Sequence, residues 1–205
     1  MDLKSKKKIT AEARAVVRRE AQAISNIIQQ IDDSFVDVAH LLLNCSGHVL
    51  VTGAGTSHAV AQRMAHLLSC SGTPALCIDA GDGLHGGSGA IKAGDIVYII
   101  SKGGQSAEIN QFAQIAKERG AVIITQTEAP DSPLGRMSDA LLEIKADDDV
   151  DPFGMVATGS SLVNAAAGDA LCVVLLKLRG YTHEDFGLTH PGGAVGKNLE
   201  NSGSL

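Results

Sequence analysis

Apolar positions along this chain fall into two alternating rhythms. Short runs rich in Val, Ile and Leu, at Val49–Thr52, Ala75–Ile78, Asp95–Ile100, Ala121–Thr125 and Ala140–Ile144, read as five buried strands. Between them, glycine, proline and hydroxyl residues give way to apolar positions at helical spacing. After Ser57 these are Val60, Ala61, Met64, Ala65, Leu67 and Leu68. Strands and helices in alternation predict an α/β fold, a doubly wound parallel sheet with right-handed crossovers. Ligands of such sheets bind beyond the carboxyl ends of the strands, where the strand order reverses.

Ahead of the first strand, Val17, Ala21, Ile24, Ile28, Ile31, Phe35, Val38 and Leu42 recur at spacings of four and three, a heptad-like seam. One unbroken helix would be about 45 Å long at 1.5 Å per residue and would point to oligomerisation. A break near Asp32-Asp33-Ser34, with Ser34 as a cap and Asp37 three residues on, gives two ordinary helices instead. Residues 1–9, with the basic run Lys4 to Lys8, are expected to form a disordered, solvated arm. Near the other end, about Ser160 to Arg179 is apolar nearly all round, as suits a helix packed between layers or in an oligomer. Asn164, Asp169 and Lys177 within it argue against a membrane span.

Composition narrows the picture. The 205 residues suffice for one domain, assigned to residues 10–199 with a tail at 200–205. Only 3% of residues are aromatic and the net charge is −6, with no basic stripe beyond the N-terminal arm, so a nucleic-acid partner is not expected. Cys45, Cys70, Cys77 and Cys172 lack CxxC spacing and adjoin apolar runs, the usage of a reducing compartment. With no apolar segment behind the basic start, a cytoplasmic protein is expected.

The first strand ends in Gly53-Ala54-Gly55-Thr56-Ser57-His58, where glycines permit a sharp turn and the following helix offers free N–H groups and a positive dipole end to an anion. On this loop alone three readings stand: a small phosphorylated ligand, a dinucleotide, or a turn that binds nothing. For the dinucleotide, Asp79 lies at about the right distance to hold a ribose, but His58 occupies the place of the third glycine. A triphosphate loop would need Gly-Lys-Ser/Thr, which is absent. The third strand leads into Ser101-Lys102-Gly103-Gly104-Gln105-Ser106-Ala107-Glu108, with hydroxyls and flexible backbone suited to a phosphate monoester. Glu108 either stabilises the helix dipole, worth about 0.3–1 kcal/mol, or points into the cleft as a base. His40, His48, His58, His66 and His183 read as structural or surface histidines, Asp147 to Asp149 with Asp151 as a solvated face rather than a metal site, and Asp169 as a paired buried carboxylate.

These two loops, Asp151-Pro152-Phe153-Gly154, and above all Thr189-His190-Pro191-Gly192-Gly193-Ala194-Val195-Gly196 resemble the sugar isomerase (SIS) domain, from about Ile9 to Leu199. The arabinose-5-phosphate isomerase branch is the most similar. The resemblance implies a five-stranded sheet in flavodoxin-like order, a homodimer or homotetramer, and a phosphorylated sugar as ligand, with no metal and no cofactor. It implies phosphate contacts from Gly55, Thr56, Ser57, Ser101, Gly103, Gly104, Gln105 and Ser106, and acid–base groups among His85, Glu108, Asp149 and His190. Three positions depart from the branch: Thr56 where lysine is usual, Gly103 where serine is common, and Asp149 for a glutamate. Thr56-Ser57 is similar instead to the amino-sugar members and etherases, so a phosphosugar-binding sensor without catalysis and an amino-sugar phosphate lyase or etherase are the rival functions. The regulatory CBS domains that often follow this domain are not present in the sequence.

Overall fold

In the computed structural model, which describes residues 2–191, strands β1 (Val49–Gly53), β2 (Ala75–Cys77), β3 (Ile96–Ile100), β4 (Val122–Thr127) and β5 (Ala140–Glu143) form one sheet. Its order is β2-β1-β3-β4-β5 and every neighbouring pair is parallel. The expected five-stranded α/β fold is therefore present. The reversal of strand order falls between β1 and β3, where Gly53 lies in register with Ile100. The two glycine loops thus leave adjacent strands at the same end of the sheet.

Alternation in β1 and β3 divides the core in two. Val49, Val51, Ile96, Tyr98 and Ile100 face one layer, built from α1 (Leu3–Asn26), α2 (Asp33–Leu43), α3 (Thr56–Cys70) and α7 (Gly159–Arg179). Leu50, Val97 and Ile99 face the other, built from α4 (Ala80–Leu84), α5 (Ala107–Glu118) and α6 (Pro133–Met137). Such two-sided burial is why these strands read as continuous apolar runs. A short helix α8 (His183–Thr189) follows α7.

The N-terminal segment corrects two expectations. Residues 3–9 are helical rather than a disordered arm, because the Asp2 carboxylate accepts from the Ser5 N–H at 2.7 Å and caps α1 at Leu3. The long seam is interrupted by a 3₁₀ turn at Ile27–Gln30, and α2 restarts with Asp32, not Ser34, as its cap, accepting from the Ser34 N–H and hydroxyl. Phe35, Val38 and Leu42 of the seam are buried, whereas Val17 and Ile28 remain 63% and 65% exposed. On the α1 side Ala23 and Ile27 enter the core in their place.

Helix α7 is long and apolar enough by composition to cross a membrane. Here it is a core helix, packed on α1, α2 and α3. Its buried face carries Asn164, which a polar chain ties to the sheet. The Tyr98 hydroxyl donates to Gln126 Oε1 at 2.8 Å, Gln126 Nε2 donates to Asn164 Oδ1 at 2.7 Å, and Asn164 Nδ2 donates to the Ser160 carbonyl at 2.8 Å. Asp169 is paired, as expected, but with Arg63 on the surface and 41% exposed rather than buried.

Candidate active site

The β1 loop is held close to its neighbours by Gly53. A Cβ there would lie 2.8 Å from the Ser57 carbonyl carbon and 2.9 Å from the Ile100 carbonyl oxygen, so only glycine lets helix α3 start hard against β3. Gly55, at φ +57°, turns the chain as the N-cap residue of α3 and contributes no side chain to the first turn. Thr56 is exposed, and Ser57 and His58 are half-buried in that first turn. This leaves the start of α3 open to an anion.

The β3 loop is built differently. The buried Ser101 hydroxyl accepts from the Gly104 N–H at 3.2 Å and folds the turn back on itself. Gly104, at φ +59°, packs against Ser132, leaving no room for a side chain. Lys102, Gly103 and Gln105 are exposed. Ser106 is the N-cap residue of α5, yet its hydroxyl makes no capping bond. It differs in this from Ser132, whose Oγ accepts the Gly135 N–H at 3.1 Å, and its oxygen stays available to a ligand.

Beside the β1 loop lies a hollow of about 400 Å³ lined by Gly53, Ala54, Gly55, His58, Asp79, Ala80, Gly81 and Glu108; of the residues expected to contact phosphate only Gly55 lines it, and Thr56, Ser57, Ser101, Gly103, Gly104, Gln105 and Ser106 do not. Glu108 comes from the first turn of α5 and Asp79 is the N-cap of α4, accepting from the Asp82 N–H. Glu108 is exposed and shares the lining of this hollow with the β1 loop. A larger groove, about 690 Å³, lies at the opposite end of the strands, beside α2 and the first residues of β3, β4 and β5. It shares no residue with either glycine loop.

A third segment is drawn to the β3 loop. Lys102 Nζ lies 3.1 Å from Asp151 Oδ2, and Asp151 Oδ1 accepts the Ser160 N–H at 2.9 Å, capping α7 from eight residues before its start. Burial pushes the Asp151 carboxyl upward, but the bonds from Ser160 and Lys102 outweigh it and hold the group below its ordinary range. This clamp brings Asp149, two residues away and exposed, to the same end of the sheet.

The two histidines singled out in the sequence stand elsewhere in the protomer. His85 is exposed at the end of α4 and does not line the hollow. His190 stacks on Phe186 with ring centroids 3.7 Å apart, and its Nε2 lies 3.4 Å from Cys70 Sγ. Cys70 ends the helix that Thr56 begins, so His190 is roughly 20 Å from the β1 loop of its own chain. Of the segment after His190, Gly192 to Gly196 lies outside the described residues.

His58, read from the sequence as a structural or surface histidine, sits among the groups of the hollow instead. Its ring lines the hollow, its Nδ1 is buried without a hydrogen-bond partner among the described residues, and Asp79 Oδ2 stands 3.9 Å away. The signal was its position three residues after Gly55, where side chains of the first helical turn flank the anion site.

Two glycine turns that leave neighbouring strands at the switch point of a doubly wound parallel sheet define an α/β domain of the open-sheet class. The chain belongs to the SIS domain family, whose pattern matches residues 42–174. It is 35% identical over 187 residues to arabinose 5-phosphate isomerase KdsD of Pseudomonas aeruginosa, covering 91% of this chain and 57% of that protein. Arabinose 5-phosphate isomerase GutQ of Salmonella typhi is 32% identical over 189 residues, covering 92% and 59%. The chain thus spans little more than half the length of these relatives. A solved structure of an Escherichia coli CFT073 protein in complex with arabinose 5-phosphate superimposes with a TM-score of 0.88 at 28% identity, covering 93% of this chain and all of that one. A sugar-phosphate isomerase candidate from Listeria monocytogenes gives 0.88 at 32% identity, covering 94% and 100%.

Proposed function

We propose that this protein is an aldose–ketose isomerase acting on a sugar phosphate of the arabinose 5-phosphate type. The observation that carries the proposal is the placement of Glu108 in one hollow with the β1 loop, beside the β3 loop, at the carboxyl ends of adjacent strands. The names of the relatives and the sugar-phosphate-bound neighbour support the substrate class.

In this reading the phosphate sits between the loops. Backbone N–H groups from Gly55 and Gly103 and the Thr56, Ser57, Ser101, Gln105 and Ser106 side chains are its donors, while Gly104, its N–H given to Ser101, shapes the turn. They anchor one end of the open-chain sugar and place the carbon next to the carbonyl against Glu108. The carboxylate takes the proton from that carbon and returns it to the neighbouring one through an enediol, a transfer worth about 10²–10⁴-fold in rate. Asp149, exposed beside the Asp151 clamp, is a secondary proton carrier in this reading, and His85, outside the hollow of its own protomer, has no such role there. His190 enters the chemistry only from a neighbouring copy, because the length of α3 separates it from its own hollow.

The exposed apolar side chains of the N-terminal segment, Val17 on α1 and Ile28 in the 3₁₀ turn after it, support a homodimer or homotetramer. The four cysteines, each a free thiol, support a cytoplasmic location. The test is incubation of the full chain with arabinose 5-phosphate in D₂O, followed by proton NMR. Isomerase action predicts the ketose phosphate together with deuterium at the transferred position. Binding without exchange would favour the sensor, and release of a substituent from an amino-sugar phosphate would favour the lyase or etherase.

A further inference from the structure

We propose that His58 is the acid–base group that serves the substrate's oxygens, with Asp79 as its positioning residue. This inference rests on the isomerase reading above and assigns a role that neither the sequence motifs nor the relatives' names supply.

Isomerisation moves protons at two kinds of atom. A carboxylate suits the carbon, but the carbonyl oxygen must gain a proton as the enediol forms, and the adjacent hydroxyl must lose one as it collapses. The group for that work must stand in the hollow, across from Glu108. Within one protomer, among the described residues, the only histidine lining it is His58, since His85 is exposed outside it and His190 lies at the far end of α3. A half-buried imidazole with a buried, unpartnered nitrogen forgoes hydrogen bonding that water would otherwise supply. The titratable neighbours facing it are Asp79 at 3.9 Å, from the start of α4, and Glu108, from the start of α5. At 3.9 Å, Asp79 is just beyond a direct hydrogen bond, and a small rotation of either side chain closes it. With Nδ1–H donated to Asp79, Nε2 is left to exchange a proton with the ligand. Asp79 Oδ1 is meanwhile engaged by the Asp82 N–H, which fixes the carboxylate's orientation.

Protons and electron pairs balance over two transfers. The Glu108 carboxylate removes the proton from C2 of the open-chain aldose while the His58 imidazolium protonates O1, giving the enediol. The neutral imidazole then takes the proton from O2 as the Glu108 carboxyl delivers its proton to C1. The ketose leaves, and both groups return to their starting forms.

The test compares the full-length wild type with His58→Gln and Asp79→Asn. Asparagine at 79 retains the capping oxygen of α4 and removes only the charge. With arabinose 5-phosphate, His58→Gln should lose at least 100-fold in kcat with KM within threefold of wild type, while thermal stabilisation by the sugar phosphate persists as proof of folding and binding. Asp79→Asn should give a smaller fall in kcat with KM within threefold of wild type, and the fall should vanish when the same substitution is made in His58→Gln, which a merely structural role for Asp79 would not produce. If the wild type isomerises and His58→Gln keeps kcat within twofold, this inference fails and the Glu108 reading stands. A wild type inert toward sugar phosphates overturns both.

Discussion

Lys102 of the β3 loop and Asp151, which caps α7, form an ion pair at 3.1 Å in which the carboxylate side chain is 3% exposed and the lysine 46%. Through it, the loop assigned to the phosphate is fastened to the longest helix of the second half of the chain. Lys102→Met leaves a buried carboxylate with the Ser160 N–H as its remaining donor. The expected loss is about 1–3 kcal/mol by urea unfolding, together with weaker sugar-phosphate binding.

The same pair sets a pH dependence. Because the folded Asp151 carboxyl sits below its ordinary range, its contribution to stability is full above the unfolded value of about 3.9 and disappears as pH falls through the folded one. Thermal melts of wild type and Asp151→Asn should therefore differ most at neutral pH and converge in acid, over roughly pH 5 to 2.

Glu108→Gln keeps shape and hydrogen-bonding reach but cannot take a proton. Solvent exchange at the substrate carbon should fall by about 10²–10⁴-fold while sugar-phosphate binding is retained. Retained exchange would remove Glu108 from the base role and leave it a dipole-stabilising residue worth about 0.3–1 kcal/mol.

Gly53→Ala and Gly55→Ala separate two demands on one loop. At Gly53 the added methyl meets backbone of both α3 and β3, so a cost of about 1–3 kcal/mol and lost binding are expected. At Gly55 the space is open, and the φ of +57° sets a strain of about 1–2 kcal/mol. Melting temperatures and sugar-phosphate titrations of the two variants test this ranking.

Gln126→Leu breaks the buried chain from Tyr98 to Asn164 in its middle. The stranded Tyr98 hydroxyl and Asn164 amide oxygen should cost about 2–4 kcal/mol in denaturant unfolding.

The sheet was legible because its strands are buried on both faces, and a continuous apolar run as short as Ile96 to Ile100, bounded by turn residues, suits a central parallel strand better than a helix. That the two glycine loops leave neighbouring strands does not follow from burial; the order came only from the resemblance to the SIS domain, and the sheet has β1 beside β3. What the sequence hid depends on distance. Capping of α1 by Asp2 turns on one hydrogen bond that helix propensity does not encode; the restart of the helix near Asp32-Asp33-Ser34 was legible from its capping residues, but the 3₁₀ turn at Ile27–Gln30 just before it was not, because the apolar periodicity continues through it. His190 belongs to the most specific motif of the chain, yet its place beside Cys70 is fixed by how α8 packs on α3. His58 reads as structural because a single histidine at a helix start looks ordinary, and only the fold brings Asp79 and Glu108, 21 and 50 residues onward, to the same hollow.

The most direct test of the central claim is a crystal structure of the full chain soaked with arabinose 5-phosphate. The phosphate is predicted between the two loops, within hydrogen-bond distance of the Ser101 and Ser106 hydroxyls and the N–H groups after Gly53, with the sugar carbons toward Glu108. A sugar phosphate seated instead in the groove beside α2, at the amino ends of β3 to β5, with the glycine loops empty, would contradict it.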